Sequence, residues 1–155
     1  MAEQVLIRHA QAGSRERWEG DDRLRPLNKK GRRQAEGLVE SLAGMPLKRV
    51  LSSPYLRCVQ TVEPLARARG LQVEETDALA EGAGLPSFLA LLRESAGQPS
   101  ALSTHGDVMY DVCEELVRLR LVARSEVRYE KGASWILEEH GGRIVAAHYL
   151  PPPKP

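Results

Sequence analysis

Val5-Leu6-Ile7-Arg8-His9-Ala10 decides how the rest of the chain reads. Three aliphatic residues in a row, two of them β-branched, predict a strand buried on both faces. The strand then delivers an arginine and a histidine, with small residues following at Ala10, Ala12 and Gly13. Such an ending sets a permanent cation beside an imidazole at the carboxyl edge of a sheet, where open α/β sheets bind their ligands. A strand that ends in two solvated polar residues fits the same letters, so other segments have to choose.

Outward from this strand, residues 11–26 form a polar segment without period, carrying Arg15, Arg17, Arg23, Arg25, Asp21 and Asp22. A connection this long inside a compact domain is usually functional, and it leaves the strand end directly. Asn28 is a plausible N-cap for a helix whose Ala35, Leu38, Val39 and Leu42 fall at i, i+3, i+4, i+7, ending near Gly44 and Pro46. Residues 48–52 predict a second short strand. Pro54 suits the first turn of a second helix along Leu56, Val59, Val62 and Leu65, with a kink or early end at Pro64. A third strand over residues 71–76, a helix opened by Pro86, a short strand over 101–104 and a helix opened by His105-Gly106-Asp107 follow. The end of the chain predicts strands over 126–129, 133–138 and 143–149, with Gly141-Gly142 as a hairpin turn.

Strands alternating with helices imply right-handed βαβ units. The expected fold is α/β, a three-layer α/β/α sandwich whose sheet is mainly parallel, with antiparallel strands at the C-terminal edge. One domain over residues 1–150 is expected, followed by a proline-rich tail over 151–155 that serves as tail or docking segment.

The 155 residues suffice for one core, and 42% hydrophobic with 28% charged is ordinary for a soluble globular chain. A formal charge of +1 gives no whole-molecule attraction to nucleic acid polymers or anionic membranes. No stretch approaches the roughly 20 apolar residues of a membrane span, and no signal-peptide core is visible, so a cytoplasmic location is expected. Cys58 and Cys113 have no metal-site spacing and fall in predicted helices, where small buried hydrophobes are expected. Neither a metal nor a cofactor is expected.

With a parallel sheet, three polar clusters share one edge: Arg8-His9, Ser52-Ser53-Pro54 with Arg57 one turn into the helix, and His105-Gly106-Asp107. That is the organisation of a site for a dianionic phosphoryl group. Guanidiniums grip oxygens bidentately, helix N-termini offer N–H donors, and an imidazole can attack phosphorus.

Arg8-His9-Ala10, then Ser52-Ser53-Pro54-Tyr55-Leu56-Arg57-Cys58-Val59-Gln60-Thr61, then Thr104-His105-Gly106, resemble in order and spacing the histidine phosphatase superfamily, which includes the phosphoglycerate mutases. The resemblance implies that His9 is the nucleophile that becomes phosphorylated, and that Arg8, Arg57 and His105 neutralise the phosphoryl oxygens. It also implies a general acid after the third strand, where Glu81 stands, opposite the plain reading of a solvated loop carboxylate. Ser52, Arg15 and Gly106 are candidate substrate contacts, with a capping role for Ser53. Gln60 and Thr61 are expected to be structural. Asp107 is expected to complement the helix dipole, and His140 and His148 to be surface or edge residues.

The chain departs from the family's commonest pattern in having Ala10 after the nucleophile. Gln11-Ala12-Gly13 replaces the glutamate and serine of the mutase branch. The short opening is more similar to small phosphohistidine phosphatases, and to the phosphatase domain that follows a Nudix domain in some nucleotide-sanitising hydrolases. The implied activity is metal-independent phosphatase chemistry on a phosphorylated protein, phosphohistidine above all, or on a small phosphorylated molecule. The alternatives are a nucleotide phosphatase and a phosphate-binding module without turnover.

Overall fold

The first strand of the computed structural model, which describes residues 2–155, is Ala2–Arg8 (β1). Its apolar run is continuous because both faces are covered. Leu6 packs into a cluster with Leu51, Leu102, Phe88 and Trp135, and Val5 and Ile7 into another with Val50, Leu38, Val62 and Leu65. Successive strand residues point to opposite faces, and all three are fully buried. Burial of each is worth about 1.5–3 kcal/mol relative to exposure.

Around it stand β2 (Arg49–Ser52), β3 (Val73–Glu75), β4 (Ser100–Thr104), β5 (Ser134–His140) and β6 (Arg143–Leu150). The order is β3-β2-β4-β1-β5-β6. The first four of these are mutually parallel, and β5 and β6 add antiparallel to β1 and to each other. Helices α1 (Lys29–Ser41), α2 (Leu56–Ala68), α3 (Leu85–Glu94) and α4 (Gly106–Arg118) connect them. The α/β expectation with its antiparallel C-terminal edge holds.

Local signals explain some boundaries, although Pro54 stands before α2 and not in its first turn. Asn28 caps α1, its side-chain oxygen accepting the Gly31 N–H at 2.8 Å. Pro86 stands in the first turn of α3. Pro64 neither ends α2 nor stops it early, for the helix continues to Ala68. Val62, Leu65 and Ala66 bury the face beside the proline, and that packing offsets the lost backbone bond.

Residues 126–129 form no strand. A 3-10 turn occupies Arg124–Glu126, and the carbonyls beyond it serve side chains instead of a ladder. Arg128 O accepts from Trp135 Nε1 at 2.7 Å, and Tyr129 O from Arg8 Nη1 at 2.7 Å. After β6 the terminal prolines return to the body, Pro153 lying so close to Gly37 of α1 that a β-carbon there would clash with it. No helix among the described residues is long and apolar enough to cross a membrane.

Candidate active site

Register brings the polar clusters together. Arg8 pairs with Thr104, and Ser52 with Ser103, so His9, Ser53 and His105 all emerge at one sheet edge. The His9 N–H donates to Thr104 O and the Ser53 N–H to Ser103 O, each at 2.9 Å. The rings of His9 and His105 stand 5.6 Å apart, edge to face.

His9 is almost fully buried. Its Nδ1 lies 2.8 Å from Ala10 O, and a carbonyl can only accept, so the ring proton sits on Nδ1 and Nε2 keeps its lone pair. Burial pushes the imidazole down to about 3, against the Ala10 hydrogen bond and with the help of His105, Arg57 and Arg8. A neutral imidazole with Nε2 unblocked is a nucleophile at ordinary pH. Thr61 fixes this turn: its hydroxyl accepts the Ala10 N–H at 2.9 Å and donates to Arg57 O at 2.7 Å. Gln60 does similar work, accepting the Leu27 N–H at 2.8 Å.

His105 precedes α4. Its Nε2 is 2.8 Å from Ser53 Oγ and 3.4 Å from Cys58 Sγ, and the Tyr55 ring stands edge-on at 4.6 Å. Ser53 Oγ also accepts the Tyr55 N–H, and the other nitrogen of the His105 ring is Nδ1. That nitrogen is buried without a partner. Burial first, and then Arg57, lower His105 to about 4. Cys58 is a buried free thiol, pushed up to about 12 by burial.

Arg8 donates through Nη1 to Tyr129 O and lies flat against Gly106, where a β-carbon would stand 2.7 Å from Nη2. Gly106 therefore serves the site by lacking a side chain. Arg57 has no exposed surface. It donates to Asp22 O at 2.8 Å and to Asp22 Oδ2 at 3.0 Å, and its guanidinium lies over the Tyr55 ring at 5.0 Å. Arg8 Nε, Arg57 Nε and His105 Nδ1 are all buried without partners. Buried polar atoms are nearly always satisfied, and these three belong to the residues whose charges bear on the His9 ring, an arrangement suited to an oxyanion.

Glu81 lies on the rim, 3.4 Å from Arg15 and 4.0 Å from Arg57. Asp107 holds that loop, accepting the Gly82 N–H at 2.7 Å. Arg15 is largely exposed and also lies 4.0 Å from Asp22. Ser52 is fully buried with its hydroxyl donating to Ser53 O at 2.7 Å, so Ser53 is the serine that touches His105. His140 is exposed and His148 lies on the edge strand β6, both outside the constellation.

Sequence reasoning missed two residues. Asp22, in a 3-10 turn at Asp22–Leu24, also accepts Arg25 Nε at 2.9 Å. Burial alone would raise its carboxyl, but Arg25 and Arg57 hold it below the usual range. Lys131 lines a cavity of about 610 Å³ in front of Arg8 and His9. Nothing distinguished Asp22 from Asp21, or Lys131 from any loop lysine, without coordinates. Among the described residues no group of three or more His, Cys, Asp or Glu could hold a metal ion.

A family model described as histidine phosphatase superfamily (branch 1) matches residues 4–85. An 8-oxo-(d)GTP phosphatase of Mycolicibacterium smegmatis is 36% identical over 154 residues, covering 96% of this chain and 48% of the relative. The chain thus spans about half the length of that relative. Among solved structures, the protein histidine phosphatase SixA complexed with tungstate superposes with a TM-score of 0.76 at 21% identity, over 98% of this chain and 96% of that one. The SixA chain from Agrobacterium tumefaciens does so with a TM-score of 0.77 at 24% identity, over 97% and 98%. These two likenesses are ones of fold.

Proposed function

The chain belongs to the histidine phosphatase superfamily, branch 1, and on that premise we propose that it is a phosphatase working through a phosphohistidine on His9. The observation that carries the reading is the His9 ring itself, neutral, proton on Nδ1, Nε2 open, within the electrostatic reach of Arg8, Arg57 and His105.

Nε2 attacks phosphorus, the bond to the leaving oxygen or nitrogen breaks, and the leaving group departs with the electron pair. Water then attacks the phosphorus of the phosphohistidine, the P–N bond breaks, and orthophosphate leaves His9 as it was. Arg8 and Arg57 balance the charge on the non-bridging oxygens and the neutral His105 adds a hydrogen bond, which supplies without a metal what a metal would supply elsewhere. Loss of one such donor typically costs about 3–4 kcal/mol of transition-state stabilisation. Glu81 protonates an alcohol leaving group from the rim. We take residues 1–150 as the catalytic unit, with Pro153 of the tail set against Gly37 of α1.

Similarity to the 8-oxo-(d)GTP phosphatase supports the phosphoryl end of a nucleotide as substrate. Protein phosphohistidine is the second reading. It draws on the Arg8-His9-Ala10 opening and on a leaving imidazole that needs little help from Glu81, which Arg15 already engages.

The test is phosphate release from a chromogenic aryl phosphate, a phosphohistidine peptide and nucleoside mono- to triphosphates, with the His9→Ala protein as blank. Release from at least one class, lost in the variant, is the expected result. Release undiminished in His9→Ala, or absent from every donor, would overturn the proposal.

A further inference from the structure

The cavity in front of the nucleophile extends beyond what one phosphoryl group needs. From Arg8 and His9 it passes residues 11–14 and reaches Arg15, Arg25, Asn28 and Lys131. Four cations line this space, Arg8, Arg15, Arg25 and Lys131, and the buried Arg57 is tied to it through Asp22; against these five stand the carboxylates of Asp22 and Glu81, ion-paired to them, leaving a net of three positive charges.

The carboxylates are already engaged. Asp22 takes Arg25 and Arg57, and Glu81 takes Arg15. Arg8 gives its Nη1 to a backbone carbonyl, and Lys131 makes no salt bridge among the described residues. The backbone beside Lys131 is nevertheless anchored. The next residue, Gly132, donates its N–H to both Arg8 O and His9 O at 3.1 Å, and its φ of +84° suits glycine. Partial burial and the charges of Arg8, Arg25, Arg15 and Arg57 all push the Lys131 ammonium downward.

A terminal phosphoryl group carries about −1.5 to −2 near neutral pH. Seated on Arg8, Arg57 and His105, it leaves roughly one positive charge unanswered beside Lys131. We propose that Lys131 forms a second anion subsite, which holds the inner phosphate of a substrate whose reacting phosphoryl group ends a diphosphate chain.

This rests on the phosphatase reading of the site and narrows its substrate class. His9 Nε2 attacks the terminal phosphorus, the bond to the bridging oxygen breaks, and the inner phosphate leaves with the electron pair. Water then releases orthophosphate from His9. A phosphate leaving group departs as an anion and takes no proton from Glu81, and Lys131 stands where its charge develops.

Calorimetric binding of two non-hydrolysable probes tests the subsite without turnover: methylphosphonate and methylenediphosphonate, against the wild-type chain, Lys131→Ala and Lys131→Arg. The wild type should prefer the diphosphonate by about tenfold or more, the size of one charge-assisted hydrogen bond. Lys131→Ala should bring the preference to about threefold or less, and Lys131→Arg should keep most of it. Equal affinity for the two probes in the wild type, no binding of either, or a preference that survives Lys131→Ala would overturn the proposal. Hydrolysis of an aryl phosphate by the wild type, abolished in His9→Ala, reports the phosphatase reading separately, so either can fail alone.

Discussion

Mild acid should unfold this protein more readily than its carboxylates explain. His9 and His105 are buried neutral, pushed from 6.5 down to about 3 and about 4, burial being the leading cause for each. In the unfolded chain both recover an ordinary value near 6.5. Below that pH the unfolded state binds two protons that the native state refuses, and linkage draws the equilibrium toward unfolding. The stability is therefore fully present above pH 6.5 and is lost as the pH falls toward 4 and then 3. Each pH unit below 6.5 is worth about 1.36 kcal/mol per histidine, so at about pH 5 each costs about 2 kcal/mol and the pair about 4. That is a large share of the ~5–15 kcal/mol by which domains are stable. Urea unfolding at about pH 7.5 and pH 5, with linear extrapolation, reads the difference directly. His105→Asn should remove about half of the pH dependence. A wild-type stability that changes by less than about 1 kcal/mol across this window would refute the burial argument for both rings.

Arg57→Ala should lower kcat by roughly 10²–10³, and Arg57→Lys should not restore it, because an ammonium cannot reproduce the guanidinium fork; near-wild-type turnover by a folded variant removes Arg57 from the pocket. Gly106→Ala sets a methyl group about 2.7 Å from the Arg8 guanidinium. Because the far end of a flexible side chain yields, melting temperature should hardly change while kcat falls about tenfold or more, and steady-state kinetics with a thermal melt separates the two. Glu81→Gln should slow hydrolysis of an alkyl phosphate ester by about 10²-fold or more and leave phosphohistidine hydrolysis within about threefold. Equal effects on both donors would dispose of the general-acid role.

The parts of the fold that were legible in the sequence are those with a local physical cause. Val5, Leu6 and Ile7 announce a strand covered on both faces, and Asn28 a helix start. The His9, Arg57 and His105 cluster was legible because β1, β2 and β4 run parallel and send their carboxyl ends to one edge. What escaped depends on tertiary contacts. Residues 126–129 have strand-like letters, yet their carbonyls are taken by Arg8 and Trp135. Pro64 has breaker chemistry, yet packing of Val62 and Leu65 carries α2 past it. Asp22 meets Arg57 only when the loop over residues 11–26 folds back over the sheet edge, and Lys131 reaches the cavity from a separate loop before β5.

A phosphoryl group carried by one nitrogen of His9 is the step that sets this chemistry apart. Rapid mixing of enzyme with a ³²P-labelled phosphoryl donor, alkaline quench and peptide mapping should yield an acid-labile, alkali-stable label on the peptide containing His9, absent from His9→Ala. Steady turnover with no label trapped, or label on any residue other than His9, would contradict it.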